Sequence, residues 1–118
     1  MAKSERIYIV VVVSGVLNKN MDFLYRKVVQ LTCRYKGKCV VELVYGGEIG
    51  DGSNAVNKLC AALQQAKRRA DRVVYAPRGN MRDSRTVDLS GVEKINYGPG
   101  GVSSTARDIA GRVVELIA

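Results

Sequence analysis

Ile7-Tyr8-Ile9-Val10-Val11-Val12-Val13 is an unbroken apolar run. A strand buried on both faces requires such a run, because side chains alternate between the two faces of a sheet. It is the mark of a central parallel strand rather than of a half-solvated antiparallel one. Lys3 and Arg6 precede the run and give it the outline of a signal peptide. It is too short to span a membrane, it is rich in β-branched valine, and no small-x-small cleavage pattern follows. A buried strand is therefore expected, with no membrane partner and a cytoplasmic location.

Working outward, Ser14, Gly15, Asn18 and Asn20 supply turn and cap residues. From Met21 the apolar period changes: Met21, Leu24, Val28, Leu31 and Tyr35 recur at helical spacing, and Gly37 is placed to end that helix. Residues 39–45 form a second strand, with Glu42 the polar exception. A loop of Gly, Ser, Asp and Asn follows over residues 46–54. The second helix places Val56, Leu59, Cys60, Leu63 and Ala66 on one face and ends in Lys67, Arg68 and Arg69, the charge that suits a helix C-terminus. Residues 72–76 form a third strand closed by Pro77, and residues 92–97 a fourth. A final helix starts near Ser103 or Ser104 and buries Ala106, Ile109, Ala110, Val113 and Ile117.

Strands alternating with helices predict one α/β domain over residues 1–118. The expected fold is three-layered and Rossmann-like or flavodoxin-like, with a mostly parallel four-stranded sheet in the order 2-1-3-4. A chain of 118 residues with 47% hydrophobic and 25% charged residues suits that reading.

The composition also excludes chemistry. There is no histidine, so a Ser-His-Asp or Cys-His nucleophile system and any His-ligated metal site are ruled out. Cys33, Cys39 and Cys60 form no C-x-x-C pair, and their odd number argues against a disulfide framework. Cys39 and Cys60 fall among apolar residues and read as buried thiols in a reducing compartment. No cofactor and no metal are expected.

Nineteen Lys and Arg against eleven Asp and Glu give a net charge of +8. Between residues 67 and 85 the cations are concentrated in Lys67, Arg68, Arg69, Arg72, Arg78, Arg82 and Arg85, offset by Asp71 and Asp83. Arginine suits bidentate phosphate contact, so Lys67, Arg68, Arg69, Arg72 and Arg85 are candidate nucleic-acid-binding residues. A solvated charged surface is the simpler alternative. Few aromatics accompany the arginines, which favours contact with a phosphate backbone over a base-stacking platform.

Ligands of open α/β sheets bind beyond the strand carboxyl ends. There Gly98, Gly100, Gly101, Ser103 and Ser104 form a glycine turn between a strand and a helix start, the arrangement that cradles phosphate on backbone N–H groups. The same residues also read as a tight connection with a helix-capping serine. Ser14, at the end of the first strand, is a candidate nucleophile, or else a turn serine.

These elements resemble the catalytic domain of the serine recombinases, the resolvases and invertases, over residues 6–85. That family opens with a short strand ending in a nucleophilic serine, matched by Ser14. A Gly- and Ser-rich loop follows the second strand, and catalytic arginines follow the third, for which Arg78 and Arg82 are the nearest matches. The resemblance implies binding to DNA. The sequence departs from the pattern at Val12, where the family has arginine, at Pro77, where it has aspartate, and in the spacing of the two arginines. No helix-turn-helix follows. The resemblance thus implies a relative whose strand-exchange chemistry is incomplete. Pro99 to Ser104 is in turn similar to the PGG-x-G-T phosphate loop of nucleotide phosphoribohydrolases, whose catalytic glutamate would fall at Ala106. Three functions stay open at this point: nucleic-acid binding, a nucleotide or phosphate ligand, and a non-enzymatic assembly module that could form a homo-oligomer.

Overall fold

The computed structural model describes residues 6–15, 18–47, 53–77, 90–95 and 101–117. The strands are β1 (Ile7–Ser14), β2 (Cys39–Tyr45), β3 (Arg72–Pro77) and β4 (Val92–Lys94); the helices are α1 (Met21–Leu31), α2 (Ser53–Arg69) and α3 (Val102–Ile117). All three strand pairings are parallel, and the order is β2-β1-β3-β4. The expected α/β architecture and strand order are both present.

β1 is central because its side chains are apolar on both faces, and β3 beside it is buried on both faces as well. Ile9 to Val13 are fully buried, and burying each such side chain contributes roughly 1.5–3 kcal/mol. Its odd residues Ile9, Val11 and Val13 pack with Leu24 and Val28 of α1 and Ile109 and Val113 of α3. Its even residues Val10 and Val12 pack with Leu59, Leu63 and Ala66 of α2, beside Val73 and Tyr75 of β3. β2 and β3 flank β1 on opposite sides, so right-handed crossovers send α1 and α2 to opposite faces.

Several details differ from the sequence reading, among them the end of β4 at Lys94 rather than at residue 97 and a half-buried rather than buried Ile117. α1 stops at Leu31 rather than running on to Tyr35, and a 3-10 turn spans Cys33–Tyr35. The backbone leaves helical geometry at Thr32 (φ −109°, ψ 10°), whose hydroxyl donates to the Val28 carbonyl at 2.8 Å while its N–H reaches both Val28 and Val29. The N–H shared between the i−4 and i−3 carbonyls marks a tightened last turn. Leu31 is consequently exposed, not core. Cys60 is half-buried rather than buried. α3 begins at Val102, ahead of Ser103 and Ser104. Among the described residues, no helix is long and apolar enough to cross a membrane.

Candidate nucleic-acid interface

The parallel sheet has two ends, one at the strand carboxyl termini and one at the amino termini. At the carboxyl edge, β1 and β2 leave the sheet together. The Gly46 N–H donates to the Val13 carbonyl at 2.7 Å, and the Gly15 N–H to the Gly47 carbonyl at 3.1 Å. Gly15 (φ 82°) and Gly47 (φ 97°) both occupy the left-handed region that a Cβ disfavours. Ser14, on the same face as Val10 and Val12, is only 1% exposed. Its hydroxyl donates to the Tyr75 phenol oxygen at 3.2 Å, and Tyr75 is itself fully buried. Nearby, the Lys58 ammonium stands 5.4 Å from the centre of the Tyr45 ring, within the range of a cation–π contact.

Arg78, Arg82, Arg85, Gly98 and Gly100 lie outside the described residues. Gly101, Ser103 and Ser104 are within them. Gly101 immediately precedes α3, and its carbonyl accepts both the Thr105 N–H at 3.1 Å and the Thr105 hydroxyl at 3.2 Å. Gly101 therefore holds the cap position, and Ser103 and Ser104 sit inside the first turn. The expectation that Ser104 caps the helix is corrected on this point: its place in the turn is already helical, and the cap residue carries no hydroxyl. Helical geometry supplies no intrahelical acceptor for the first-turn N–H groups.

The amino edge is different in character. Arg6 immediately precedes β1, and Lys38 immediately precedes β2; the Ile7 N–H donates to the Lys38 carbonyl at 2.9 Å, so the two strand starts are level. Arg34 lies in the 3-10 turn and Lys36 just after it. Lys67, Arg68 and Arg69 close α2, and Arg72 opens β3 opposite Ile9. Eight cations from three separate stretches thus gather along one edge of β2, β1 and β3. All but Lys67, which is half-buried, are exposed.

Among the described residues, few acids offset them. Asp71 is tied into the sheet: its carboxylate accepts the Tyr8 N–H at 2.8 Å, and its own N–H donates to the Tyr8 carbonyl at 2.8 Å. Glu42 pairs with Arg69 at 3.1 Å and accepts the Tyr8 phenol proton. That hydrogen bond, followed by burial and the Glu42 charge, raises the Tyr8 phenol above its ordinary value near 10. Of the other described acids, Glu93 and Glu115 lie on the β4 side and share Arg112. Among the described residues the surface is therefore cationic over β2, β1 and β3, while Arg112 on the β4 side is paired with acids.

Of the basic run read from the sequence, the structure describes only the first four cations. Lys67, Arg68, Arg69 and Arg72 belong to the amino edge. Pro77, after which Arg78 follows, stands roughly 17 Å away along β3, at about 3.3 Å per residue. The sequence reading missed Arg6, Arg34, Lys36 and Lys38. Their signal was present: Arg6 and Lys38 directly precede strands, and in an all-parallel sheet every residue that precedes a strand arrives at the same edge.

Among the described residues, no three His, Cys, Asp or Glu side chains are grouped to hold a metal ion. Cys33 is exposed and Cys39 buried, and burial pushes the Cys39 thiol up. Neither a scan against protein-family models nor searches of the curated proteins and the solved structures find a match.

Proposed function

We propose that this chain is a nucleic-acid-binding α/β domain that holds the phosphate backbone against the amino edge of its sheet. One observation carries the reading: Arg6, Arg34, Lys36, Lys38, Lys67, Arg68, Arg69 and Arg72 converge there from three stretches of chain. Phosphates bind such a surface by releasing condensed counterions, so affinity depends steeply on salt. Arginine at more than half of these positions adds bidentate geometry. DNA is the partner that the recombinase-like layout favours, and a reducing cytoplasmic setting accords with three free thiols.

The reading is of a binding domain rather than a strand-exchange enzyme. The Ser14 hydroxyl is buried and directed at Tyr75. Ser14 also stands at the edge of the sheet opposite the cationic one, so a backbone held on the amino edge is distant from it. The test is a salt titration of affinity for duplex DNA, single-stranded DNA and RNA. The proposal expects tight binding at low salt that falls linearly on logarithmic axes. Weak binding that is insensitive to salt overturns it.

A nucleotide or phosphate ligand at the start of α3 is the second reading. It draws on Gly101 at the cap and on the first-turn N–H groups, which helical geometry leaves without intrahelical acceptors. Saturable thermal stabilisation by one nucleotide, in the absence of polymer binding, would favour it instead.

A further inference from the structure

A shallow groove of about 210 Å³ opens where the C-terminal half of α1 faces the outer strand β2. Tyr25 and Val29 of α1 and Val40 of β2 line it, with the exposed thiol of Cys33 on its wall and Arg6 and Lys36 at its rim. Those three apolar residues are among the five exposed large hydrophobics of the described chain. Tyr25 and Val29 are one turn apart on α1, on the flank of the helix beside the Leu24 and Val28 stripe. Apolar surface gathered in one concavity, rather than scattered, marks a binding site.

The rim decides what kind of occupant fits. Arg6 and Lys36 belong both to this groove and to the cationic edge, so the groove is a side pocket of the same surface. An apolar recess with one aromatic side chain, beside two cations, matches a nucleobase whose own phosphate is held at the rim. The walls offer little for reading base edges: Thr32 is buried, and its hydroxyl proton goes to the Val28 carbonyl. Recognition would therefore act through the face of the base and tolerate any sequence. A second copy of the chain fits poorly. A two-fold contact centred on the groove brings like patches together, and Arg6 and Lys36 would face their own counterparts.

We infer that this groove takes an unstacked base, and that the domain consequently prefers single-stranded nucleic acid or a frayed end to a closed duplex. The inference rests on the proposed binding of nucleic acid at the amino edge and adds the form of the strand that is selected. In a duplex the bases are stacked and paired, and the groove has nothing to accept.

The test compares a short oligothymidine with an abasic strand carrying the same number of phosphates, using the full chain. Alkylation at Cys33 is followed by mass spectrometry, which resolves it from Cys39 and Cys60. The expected result is about tenfold tighter binding of the base-bearing strand and slower alkylation of Cys33 in its presence. Tyr25→Leu should remove that preference while leaving affinity for the abasic strand unchanged, because the cationic edge is untouched. Tyr25 is 42% exposed, so the substitution is compatible with folding, and a circular dichroism spectrum checks that it folds. Equal affinity for the two strands with no protection of Cys33 overturns the groove assignment and leaves the cationic edge standing. Failure of both strands to bind overturns the proposed function itself. Protection of Cys33 by an acidic peptide but by neither strand overturns the inference and assigns the groove to a protein partner on the open edge of β2.

Discussion

The Ser14 hydroxyl meets the Tyr75 phenol oxygen at 3.2 Å inside the protein, joining the carboxyl ends of β1 and β3 on the face covered by α2. Sixty-one residues separate the two in sequence. Both side chains are shut off from solvent, so each depends on the protein for its hydrogen bonds. The contact gives Ser14 a structural role that needs no chemistry.

Removing that partner should be felt in stability. Tyr75→Phe leaves the Ser14 hydroxyl buried without this acceptor and should destabilise by about 1–3 kcal/mol. Ser14→Ala should cost about 1 kcal/mol, and the double variant should cost less than the sum of the two, because both remove the same bond. Urea denaturation of the four proteins measures this. Nucleic-acid affinity should be the same in Ser14→Ala as in the wild type. A large loss of affinity with unchanged stability would return Ser14 to a functional role.

Gly46 holds the exit of β2 against the core. A Cβ built there would approach Val12 Cγ1 to 2.8 Å and Leu59 Cδ1 to 3.1 Å. Both neighbours are buried and belong to the cluster beneath α2, so neither can yield without disturbing other packing. Gly46→Ala should therefore lower stability by about 1–3 kcal/mol, the usual cost of overpacking. Thermal denaturation checks this, and a neutral result would show that β2 can swing outward at this end.

Stability should also fall at alkaline pH through Tyr8. Its phenol is held protonated by the hydrogen bond to Glu42, so its folded pKa lies above the unfolded value near 10. The contribution is fully present below the unfolded value and is lost as pH rises through the folded one. Wild type and Tyr8→Phe should differ least at the top of an alkaline titration and most at neutral pH, with Tyr8→Phe the less stable there. Parallel alkaline limbs for the two proteins would show that the Tyr8–Glu42 bond contributes nothing.

The fold was legible from sequence where apolar periodicity was long. The run from Ile7 to Val13 announced a central strand, and placing the most apolar strand inside an all-parallel sheet led to the observed order. Boundaries decided by single side chains were not legible. α1 ends at Thr32, a boundary that no apolar period marks, and Gly101 rather than a serine takes the cap of α3. The cationic edge was half legible. Lys67 to Arg72 stood out as a run, while Arg6, Arg34, Lys36 and Lys38 joined it only once the strand starts were known to be level.

The most direct test of the cationic edge is the salt dependence of duplex DNA affinity in two charge-matched triple variants. One removes Lys38, Arg68 and Arg72 from the amino edge; the other removes Lys19, Arg26 and Arg107 from other exposed positions. Each replaces the three residues with alanine, so both lower the net charge equally. The amino-edge variant should bind much more weakly, and its slope of log K against log salt should fall by about 0.9 for each phosphate that it no longer neutralises. The other variant should keep the wild-type slope. Equal slopes and equally weakened binding in the two variants would contradict the assignment, because binding would then follow net charge rather than this edge of the sheet.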